Sequence, residues 1–275
     1  MNILDKKLLD FYNDINCSFV FGKYIFYPKD LWRRHLHIKM NNSCFMDCNF
    51  CIEKNNTCKV FHDDFYYKKL DFIIKELIQN NIIKTISVTG GEPFLDIDRL
   101  CKILEIINKY KFELININSN GYEIYKYQKE INKYKIDFIN ISRHHYNDVK
   151  NNEIFKTDKV FIFPEKLNCK IRFQCVCLKD FINNKNEIEK YIKIYYKKVF
   201  DFSFRQLIKP YEKLEKEKFN YFLENNISLK PIYKEFLVDK KYKMNFIHND
   251  EYEYYVEFKD TEKNKSFVMC YTDMN

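Results

Sequence analysis

Three cysteines within eight residues, directly after a strand-like segment, constrain this chain more than any other feature. From His35 to Cys51, apolar and polar residues alternate and then give way to a loop that carries Cys44, Cys48 and Cys51. A C-x3-C-x2-C loop at the end of a strand can place three thiolates at three corners of a cubane iron-sulfur cluster. Three protein ligands leave one iron open, so the spacing predicts a cluster that also binds a non-protein ligand.

A second motif follows after about forty residues. The run TISVTGGEP, Thr85 to Pro93, places a Gly-Gly-Glu sequence at the end of another alternating strand. The two runs together resemble the radical S-adenosylmethionine (SAM) superfamily. That family has a CxxxCxxC loop after its first strand, an aromatic residue before the last cysteine (here Phe50) and a GGE motif after its second strand. The resemblance covers roughly residues 35 to 210.

The resemblance implies a role for each motif residue. The three cysteines would ligate a [4Fe-4S] cluster, whose open iron chelates the amino nitrogen and carboxylate of SAM. Glu92 and the backbone of Gly90 and Gly91 would hold the methionyl ammonium, for which a carboxylate acceptor is the right partner. Phe50 would lie near the adenine, with ordinary packing as the alternative. The implied metal ligands are Cys44, Cys48 and Cys51.

Polar residues at the ends of later strands are further candidates for cofactor binding. In this superfamily such residues often reach the ribose hydroxyls and carboxylate of SAM, and loop capping is the alternative. The residues in such positions are Asn118, Asn120, Ser142 and Arg143.

Four other residues are candidates for the substrate side. His144 and His145 titrate in the range of a proton carrier, although a histidine at a strand end can simply make hydrogen bonds. Arg172 and Arg205 either bind a substrate anion or pair with acidic residues. The catalytic candidates are therefore His144, Arg172 and Arg205.

Other uses of the cysteines are less well supported. A structural zinc site needs four ligands, and Cys58 would be the fourth, but C-x3-C-x2-C-x6-C is not a usual zinc spacing and zinc gives GGEP no task. A disulfide framework belongs to secreted chains, and the N-terminus does not resemble a signal peptide.

Composition bounds the architecture and the class of protein. A chain of 275 residues can form one large α/β domain, and no Pro/Gly/Ser-rich linker divides it. We expect an N-terminal extension (1–34), a catalytic domain (35–226) and a strand-rich C-terminal extension (227–275). No apolar run approaches the roughly 18 residues of a membrane span. The sequence therefore predicts a cytoplasmic protein, and the cluster predicts one that is sensitive to oxygen.

The net charge of +8 does not favour nucleic-acid binding, because lysine is spread along the chain and no basic cluster stands out. Glycine is more informative, since the chain contains only four, against an average usage of about 7%. Gly90, Gly91 and Gly121 directly follow predicted strands. These positions are predicted to need a positive φ or a close backbone approach to a ligand.

Hydrophobic periodicity alternates between the strand and helix periods. The predicted strands span about 35–41, 84–89, 113–118, 136–142, 169–178 and 200–207. The predicted helices span about 4–12, 62–80, 96–110, a segment ending near 133, 184–197 and 211–225. A hairpin is predicted near 17–27, and two or three strands after Ile227, Glu253 to Phe258 and Ser266 to Tyr271 being the clearest. Six strands that alternate with helices favour a parallel sheet.

The faces of these strands differ in polarity. If the apolar residues face the helices, the alternate residues, which are nearly all polar, point inward. A closed eight-stranded barrel fills its interior with branched apolar residues, so a polar interior favours an open barrel around a solvated or ligand-filled lumen. The resemblance implies the same partial (β/α)6 TIM-like barrel. The alternative is an antiparallel sheet with one wet face. The inward set is Lys39, Asn41, Ser87, Thr89, Asn116, Asn118, Asn120, Asn140, Ser142, His144, Arg172, Gln174, Ser203 and Arg205.

The function implied is reductive cleavage of SAM to a 5′-deoxyadenosyl radical, which abstracts hydrogen from a substrate in the lumen. A one-electron donor such as flavodoxin or ferredoxin would be a partner. Lys39, His144, Arg172 and Arg205 predict a small anionic substrate that bears a phosphate or carboxylate. The alternative is that the carboxylate of SAM and water molecules satisfy these groups. Beyond Cys177 only Cys270 remains, too few for an auxiliary-cluster domain, which disfavours peptide or protein modification without excluding it. A non-catalytic iron-sulfur or zinc protein is the second alternative.

Overall fold

The structure is a computed structural model, and it describes residues 19–21, 24–26, 34–51, 63–210, 215–249 and 254–271. The N-terminal elements are β1 (Phe19–Phe21), β2 (Tyr24–Phe26) and β3 (His35–Lys39). The central elements are α1 (Asp64–Gln79), β4 (Thr85–Thr89), α2 (Ile97–Asn108), β5 (Leu114–Ser119), α3 (Gln128–Ile131), β6 (Phe138–Ser142), α4 (Asp148–Phe155), β7 (Lys170–Val176), α5 (Lys185–Tyr195) and β8 (Asp201–Arg205). The last elements are α6 (Lys216–Asn225), α7 (Lys230–Val238), β9 (Tyr242–Asn249), β10 (Tyr254–Asp260) and β11 (Lys265–Tyr271).

All described strands belong to one sheet in the order β1-β2-β3-β4-β5-β6-β7-β8-β11-β10-β9. From β3 to β8 each strand pairs in parallel with the next. The α/β prediction of an open, partial barrel is therefore confirmed, and the antiparallel alternative is wrong for this core.

The two ends of the sheet extend the parallel core differently. At one end β1 and β2 form the predicted hairpin, and β2 pairs antiparallel with β3. At the other end β11 pairs in parallel with β8 and becomes a seventh parallel strand. Strands β10 and β9 then add to β11 in antiparallel order. The helix predicted over 4–12 lies outside the described residues.

Most helices begin where a polar side chain caps them. Asp63 accepts a hydrogen bond from Tyr66 N at the start of α1, and Asp96 and Asn184 cap α2 and α5 in the same way. Helices α4 and α7 were not predicted, and the helix expected to end near 133 is reduced to a 3-10 turn and the short α3. In α4 only the last residues are buried apolar side chains, so it lacks the apolar stripe by which a helix is recognised. None of the helices in the described part of the chain has the length and apolar composition of a membrane span.

The predicted faces of the parallel strands are correct. The ten apolar residues of β4 to β8 that were predicted to point outward pack against the helices and are at most 7% exposed. The inward residues are polar and bond to one another: Asn140 Nδ2 donates to Asn118 Oδ1 at 2.8 Å, and a His35–Ser87–His37 chain has contacts of 2.8 and 2.6 Å. Burial lowers the pKa of His35 to about 3 and that of His37 to about 4, so both rings are neutral. The outward apolar residues are Ile86, Val88, Ile115, Ile117, Ile139, Ile141, Ile171, Phe173, Phe202 and Phe204.

Candidate active site

A cleft of about 290 Å³ lies at the carboxyl ends of the parallel strands, where parallel barrels carry their active sites. The cysteine loop forms one wall, the ends of β4, β5 and β6 form the floor, and the ends of β7, β8 and β11 form the opposite wall. The lining residues are Cys44, Met46, Cys48, Phe50, Cys51, Thr89, Gly90, Gly91, Asn118, Ser119, Asn120, Ser142, His144, Phe155, Val176, Arg205, Gln206, Leu207, Ile208, Cys270 and Tyr271.

The three loop cysteines all line the cleft as free thiols. Met46 N and Asn120 Nδ2 donate to Cys44 Sγ at 3.4 and 3.7 Å. Burial and the two neighbouring thiols raise the pKa of Cys48 to about 12. Donors aimed at a sulfur and thiols gathered at one wall suit thiolate ligands, because a bound metal deprotonates a coordinating thiol.

The three cysteines are a donor set that fits a cubane cluster with three protein ligands. In the described ranges, no group of three His, Cys, Asp or Glu side chains converges on one metal ion. A cubane cluster needs no such convergence, since each thiolate binds a different iron. Cys58, the fourth ligand of the zinc alternative, lies outside the described residues.

The two motif glycines allow the cysteine loop to lie directly on the end of β4. A Cβ on Gly90, which has φ +136°, would stand 2.5 Å from Asn41 O, and one on Gly91 would stand 2.0 Å from Ser43 O. Gly91 N donates to Asn41 O at 2.7 Å. The close approach predicted from the sequence is thus an approach of the cysteine loop, although both glycines also line the cleft.

Glu92 is fully buried and is not among the residues that line the cleft. Its carboxylate accepts hydrogen bonds from Ser119 Oγ (2.8 Å), Asn120 N (2.7 Å) and Phe94 N (3.1 Å). Its own N–H donates to Ser43 O at 2.7 Å. Burial raises the pKa of Glu92 to about 7 despite these donors. Glu92 therefore bonds to the end of β5 through its carboxyl group and to the cysteine loop through its backbone, a role that the sequence did not indicate.

Three of the four polar candidates at strand ends line the cleft, namely Asn118, Asn120 and Ser142. Asn120 also caps its own turn, because its Oδ1 accepts from Tyr122 N at 3.1 Å. The fourth candidate, Arg143, faces away from the cleft and is 1% exposed. Its guanidinium pairs with Asp148 and donates to Tyr195 Oη. Because the side chain after Ser142 points to the outer face of the sheet, the assignment of Arg143 to SAM is a wrong prediction.

His144 lines the cleft beside Phe50, with ring centroids 5.1 Å apart. Val176 N donates to His144 Nδ1 at 3.1 Å, so the neutral ring carries its proton on Nε2. Burial, followed by the charge of Arg143, lowers the pKa of His144 to about 3. His145 faces away from the cleft, and burial lowers its pKa to about 4. Neither ring has the pKa of a proton carrier at neutral pH.

The two substrate-side arginines occupy different places. Arg172 makes a two-pronged ion pair with Asp201, Nε to Oδ1 and Nη2 to Oδ2, both at 2.6 Å. The parallel register sets these residues opposite each other, so Arg172 follows the second of its two alternatives, pairing with an acidic residue, and it does not line the cleft. Arg205 does line the cleft, and its guanidinium lies 3.9 Å from Cys270 Sγ.

Sequence reasoning missed the residues that hold the wall behind His144. Asn151, on α4, is fully buried, and its Oδ1 accepts from the backbone N–H groups of His144 and His145 at 2.8 and 3.2 Å. Phe155 O, at the end of α4, accepts from Asp47 N in the cysteine loop at 3.0 Å. Helix α4 therefore links the end of β6 to the cysteine loop. The Asn147 cap was the one sequence signal for this helix.

Comparisons with known proteins agree with this site. The profile of the Radical SAM superfamily matches residues 38–162. A GTP 3′,8-cyclase of Clostridium perfringens (strain SM101 / Type A) is 28% identical over 187 residues, 63% of this chain and 55% of the relative. YydG of Bacillus subtilis (strain 168), whose name refers to peptide biosynthesis, is 30% identical over 93 residues, 34% of this chain and 28% of the relative.

Among solved structures, Streptococcus suis SuiB bound to its precursor peptide SuiA superimposes with a TM-score of 0.52 at 18% identity, covering 80% of this chain and 48% of SuiB. This likeness concerns the fold alone. The chain spans about half the length of the cyclase and of SuiB. Residues 38–162, which match the profile of the Radical SAM superfamily, include the three loop cysteines and the Gly-Gly-Glu sequence.

Proposed function

We propose that this chain binds a [4Fe-4S] cluster through Cys44, Cys48 and Cys51 and cleaves SAM to initiate a radical reaction on a small substrate. One observation carries the proposal: the three cysteines, the two motif glycines and the polar ends of β5 and β6 line the same cleft. When bound, the cluster would supply the electron that splits SAM into methionine and a 5′-deoxyadenosyl radical. A flavodoxin or ferredoxin is the proposed source of that electron.

The protein's own groups would position SAM. The backbone carbonyls of Gly90 and Gly91 are the proposed acceptors for its ammonium, while Glu92 positions the cysteine loop and the β5 end around it. Asn118 and Ser142 would bond to the ribose or carboxylate. Phe50 would lie against the adenine, with His144 behind it.

Apolar residues between these polar groups would exclude water from the reacting centre. Met46, Phe155 and Val176 line the middle of the cleft. A radical is protected from side reactions when bulk water is kept out. The same residues strengthen each hydrogen bond to SAM, because the local dielectric constant is low.

For the substrate, we propose a small anion held by Arg205. A peptide substrate is the second candidate, favoured by the similarity to YydG over 93 residues. The two differ in a direct test: incubation with SAM and reductant should modify a small acid in the first case and a peptide in the second.

Anaerobic reconstitution with iron and sulfide tests the proposed function. We expect about four irons per chain, broad visible absorption, and release of 5′-deoxyadenosine from SAM when dithionite is added. A protein that binds one zinc and no iron would instead be the structural zinc protein. One that binds iron but neither binds nor cleaves SAM would be a non-catalytic iron-sulfur protein.

A further inference from the structure

Asn120 directly follows β5, and both ends of its side-chain amide have a partner. Its Oδ1 accepts a hydrogen bond from Tyr122 N at 3.1 Å, and its Nδ2 donates to Cys44 Sγ at 3.7 Å. The residue is 7% exposed, and its backbone N–H donates to the Glu92 carboxylate at 2.7 Å. The side chain is therefore held in one place beside the sulfur of a loop cysteine.

The contact with Tyr122 decides which way the amide faces. The oxygen and nitrogen of an asparagine side chain exchange places when the amide turns over. In the turned orientation Nδ2 would meet the backbone N–H of Tyr122, which brings two donors together. Its Oδ1 would then meet the sulfur of Cys44, which is an acceptor when it is a thiolate. The observed orientation, in which Asn120 donates to Cys44, is thus the favourable one.

Cys44 Sγ also receives a hydrogen bond from its own loop. Met46 N lies 3.4 Å from the sulfur. This donor belongs to the backbone, so side-chain substitutions leave it in place, whereas the second donor depends on the identity of residue 120. A substitution of Asn120 can therefore remove part of the hydrogen bonding to Cys44 without altering the cysteine loop.

Hydrogen bonds to the ligating sulfurs are among the factors that set the reduction potential of an iron-sulfur cluster. A donor interacts more strongly with a thiolate that carries more negative charge, and reduction adds one electron to the cluster and its ligands. The donor therefore stabilises the reduced form more than the oxidised form. Burial of the donor strengthens this effect, because the local dielectric constant is low.

We propose, building on the cluster assigned in the proposed function, that Asn120 raises the reduction potential of the cluster through its hydrogen bond to Cys44 Sγ. This role differs from the contact with SAM that the sequence predicted for the same residue. Because Nδ2 carries a second hydrogen that SAM can accept, the two roles are separated by measuring the potential without SAM.

The test is a redox titration of the reconstituted protein without SAM, followed by the EPR signal of the reduced cluster. Asn120→Ser keeps an oxygen that can cap Tyr122 N but is too short to reach Cys44. Asn120→Asp keeps the cap and places an acceptor at the sulfur. At a fixed potential, the ratio of reduced to oxidised cluster should fall about three- to tenfold in Asn120→Ser, which is about 30–60 mV for a one-electron couple. It should fall further in Asn120→Asp.

Asn132→Ser is the matched control. Asn132 makes the same pair of contacts, because its Nδ2 donates to Lys166 O at 2.6 Å and its Oδ1 accepts from Asn168 N at 2.8 Å. Asn168 precedes β7, so these contacts lie at the amino ends of the strands, away from the cysteine loop. The potential should not change in this variant. An unchanged or higher potential in Asn120→Ser or Asn120→Asp, or an equal fall in Asn132→Ser, would overturn the inference.

A measurement on the wild type covers the case in which the Asn120 variants do not bind a cluster. In protein labelled with ¹⁵N in its asparagine side chains, pulsed EPR of the reduced cluster should show coupling to a side-chain nitrogen, and absence of this coupling would overturn the inference. Failure of the wild type to bind about four irons would overturn the proposed function and this inference with it. Normal loading with the same potential in all variants would overturn the inference alone.

Discussion

On the cysteine side of the cleft, backbone packs on backbone: Gly91 N bonds to Asn41 O and Glu92 N to Ser43 O. On the β8–β11 side, Gln206 N donates to Cys270 O where the two paired strands end, and side chains line the cleft. Replacing a glycine on the first side must displace the backbone. Replacing a side chain that lines the second side changes only the surface that a ligand contacts. This difference explains why the sequence carries a recognisable motif on the cysteine side and none on the β8–β11 side.

The largest effect should be the loss of the cluster in variants of the three loop cysteines, compared with variants of cysteines elsewhere. Replacing Cys44, Cys48 or Cys51 with Ser should abolish both visible absorption and SAM cleavage, because each removes one cluster ligand. Cys270→Ser, on the opposite wall, should retain the full iron content. Cys101→Ser, on α2, is the control for activity. Iron content and 5′-deoxyadenosine release measure both, and loss of iron in Cys270→Ser would erase the contrast.

The next effect tests whether close backbone packing holds the cysteine loop on the end of β4. A Cβ at Gly91 would stand 2.0 Å from Ser43 O, so Gly91→Ala should displace the loop. We expect the free energy of unfolding of the apo protein to fall by about 1–3 kcal/mol, together with poorer cluster loading. Urea denaturation and iron analysis check this. Ser43→Ala, which trims an exposed side chain and leaves the backbone in place, should change neither, and an unaffected Gly91→Ala would refute the packing argument.

Removal of the Glu92 carboxylate tests whether its hydrogen bonds hold the turn at the end of β5 in place. Glu92→Ala should spare the iron content, because Glu92 N still bonds to Ser43 O, and should weaken SAM binding by roughly 1–3 kcal/mol, the usual cost of leaving a buried donor unsatisfied. The reason is positional, since three donors around the turn lose their acceptor. Calorimetric titration of SAM measures it, with the exposed Glu113→Ala as control. Unchanged SAM affinity would show that the turn at the end of β5 keeps its conformation without the carboxylate.

The pH dependence of stability tests the floor between the two sides. The unfolded chain binds a proton at His144 below its ordinary pKa of 6.5, whereas the folded chain does so only near 3. Stability must therefore fall as the pH decreases from 6.5 toward 3, by up to about 1.4 kcal/mol per pH unit from this residue. Between pH 7 and pH 5, the free energy of unfolding of His144→Gln should fall less than that of the wild type, by up to about 1.4 kcal/mol per pH unit. Urea denaturation at the two pH values measures this difference. Parallel profiles for the two proteins would mean that the ring titrates normally.

The smallest effect concerns an arginine that does not face the cleft. Arg172→Met should lower the free energy of unfolding by about 1–2 kcal/mol, because it leaves Asp201 without its partner and the pair is only partly exposed. SAM cleavage should persist at the wild-type rate. A specific loss of substrate turnover with unchanged stability would return Arg172 to the substrate side.

The sequence predicted most where a pattern repeats along the chain. Alternation in β4 to β8 identified the buried face and the polar lumen, since parity is a local property of a strand. The Cys and Gly-Gly-Glu spacings predicted that the cysteines and Gly90 and Gly91 would line one cleft, because both motifs lie at the carboxyl ends of parallel strands. Six of the strands were placed within a few residues of their observed ends.

The residues that were assigned wrongly depend on how neighbouring strands are aligned and on which face of the sheet a side chain occupies. Arg172 has the inward parity, but the stagger of β7 against β8 sets it opposite Asp201. Arg143 follows a correctly placed Ser142, yet the next side chain along a strand points to the other face. Helix α4 was not predicted because its buried contacts come from Asn151 and the last turn rather than from an apolar stripe.

The parallel pairing of β11 with β8 also has a consequence for the order of assembly. Arg205 and Cys270 are 65 residues apart in the chain, so their contact cannot form until β11 has been synthesised. The contacts of the cysteine loop with Asn120 and Phe155 also span many residues, but all of them lie in an earlier part of the chain. During synthesis the protein would therefore acquire the means to generate a radical before it acquires the wall that directs the radical to a substrate. A nascent chain interrupted before β11 is expected to consume SAM without productive turnover.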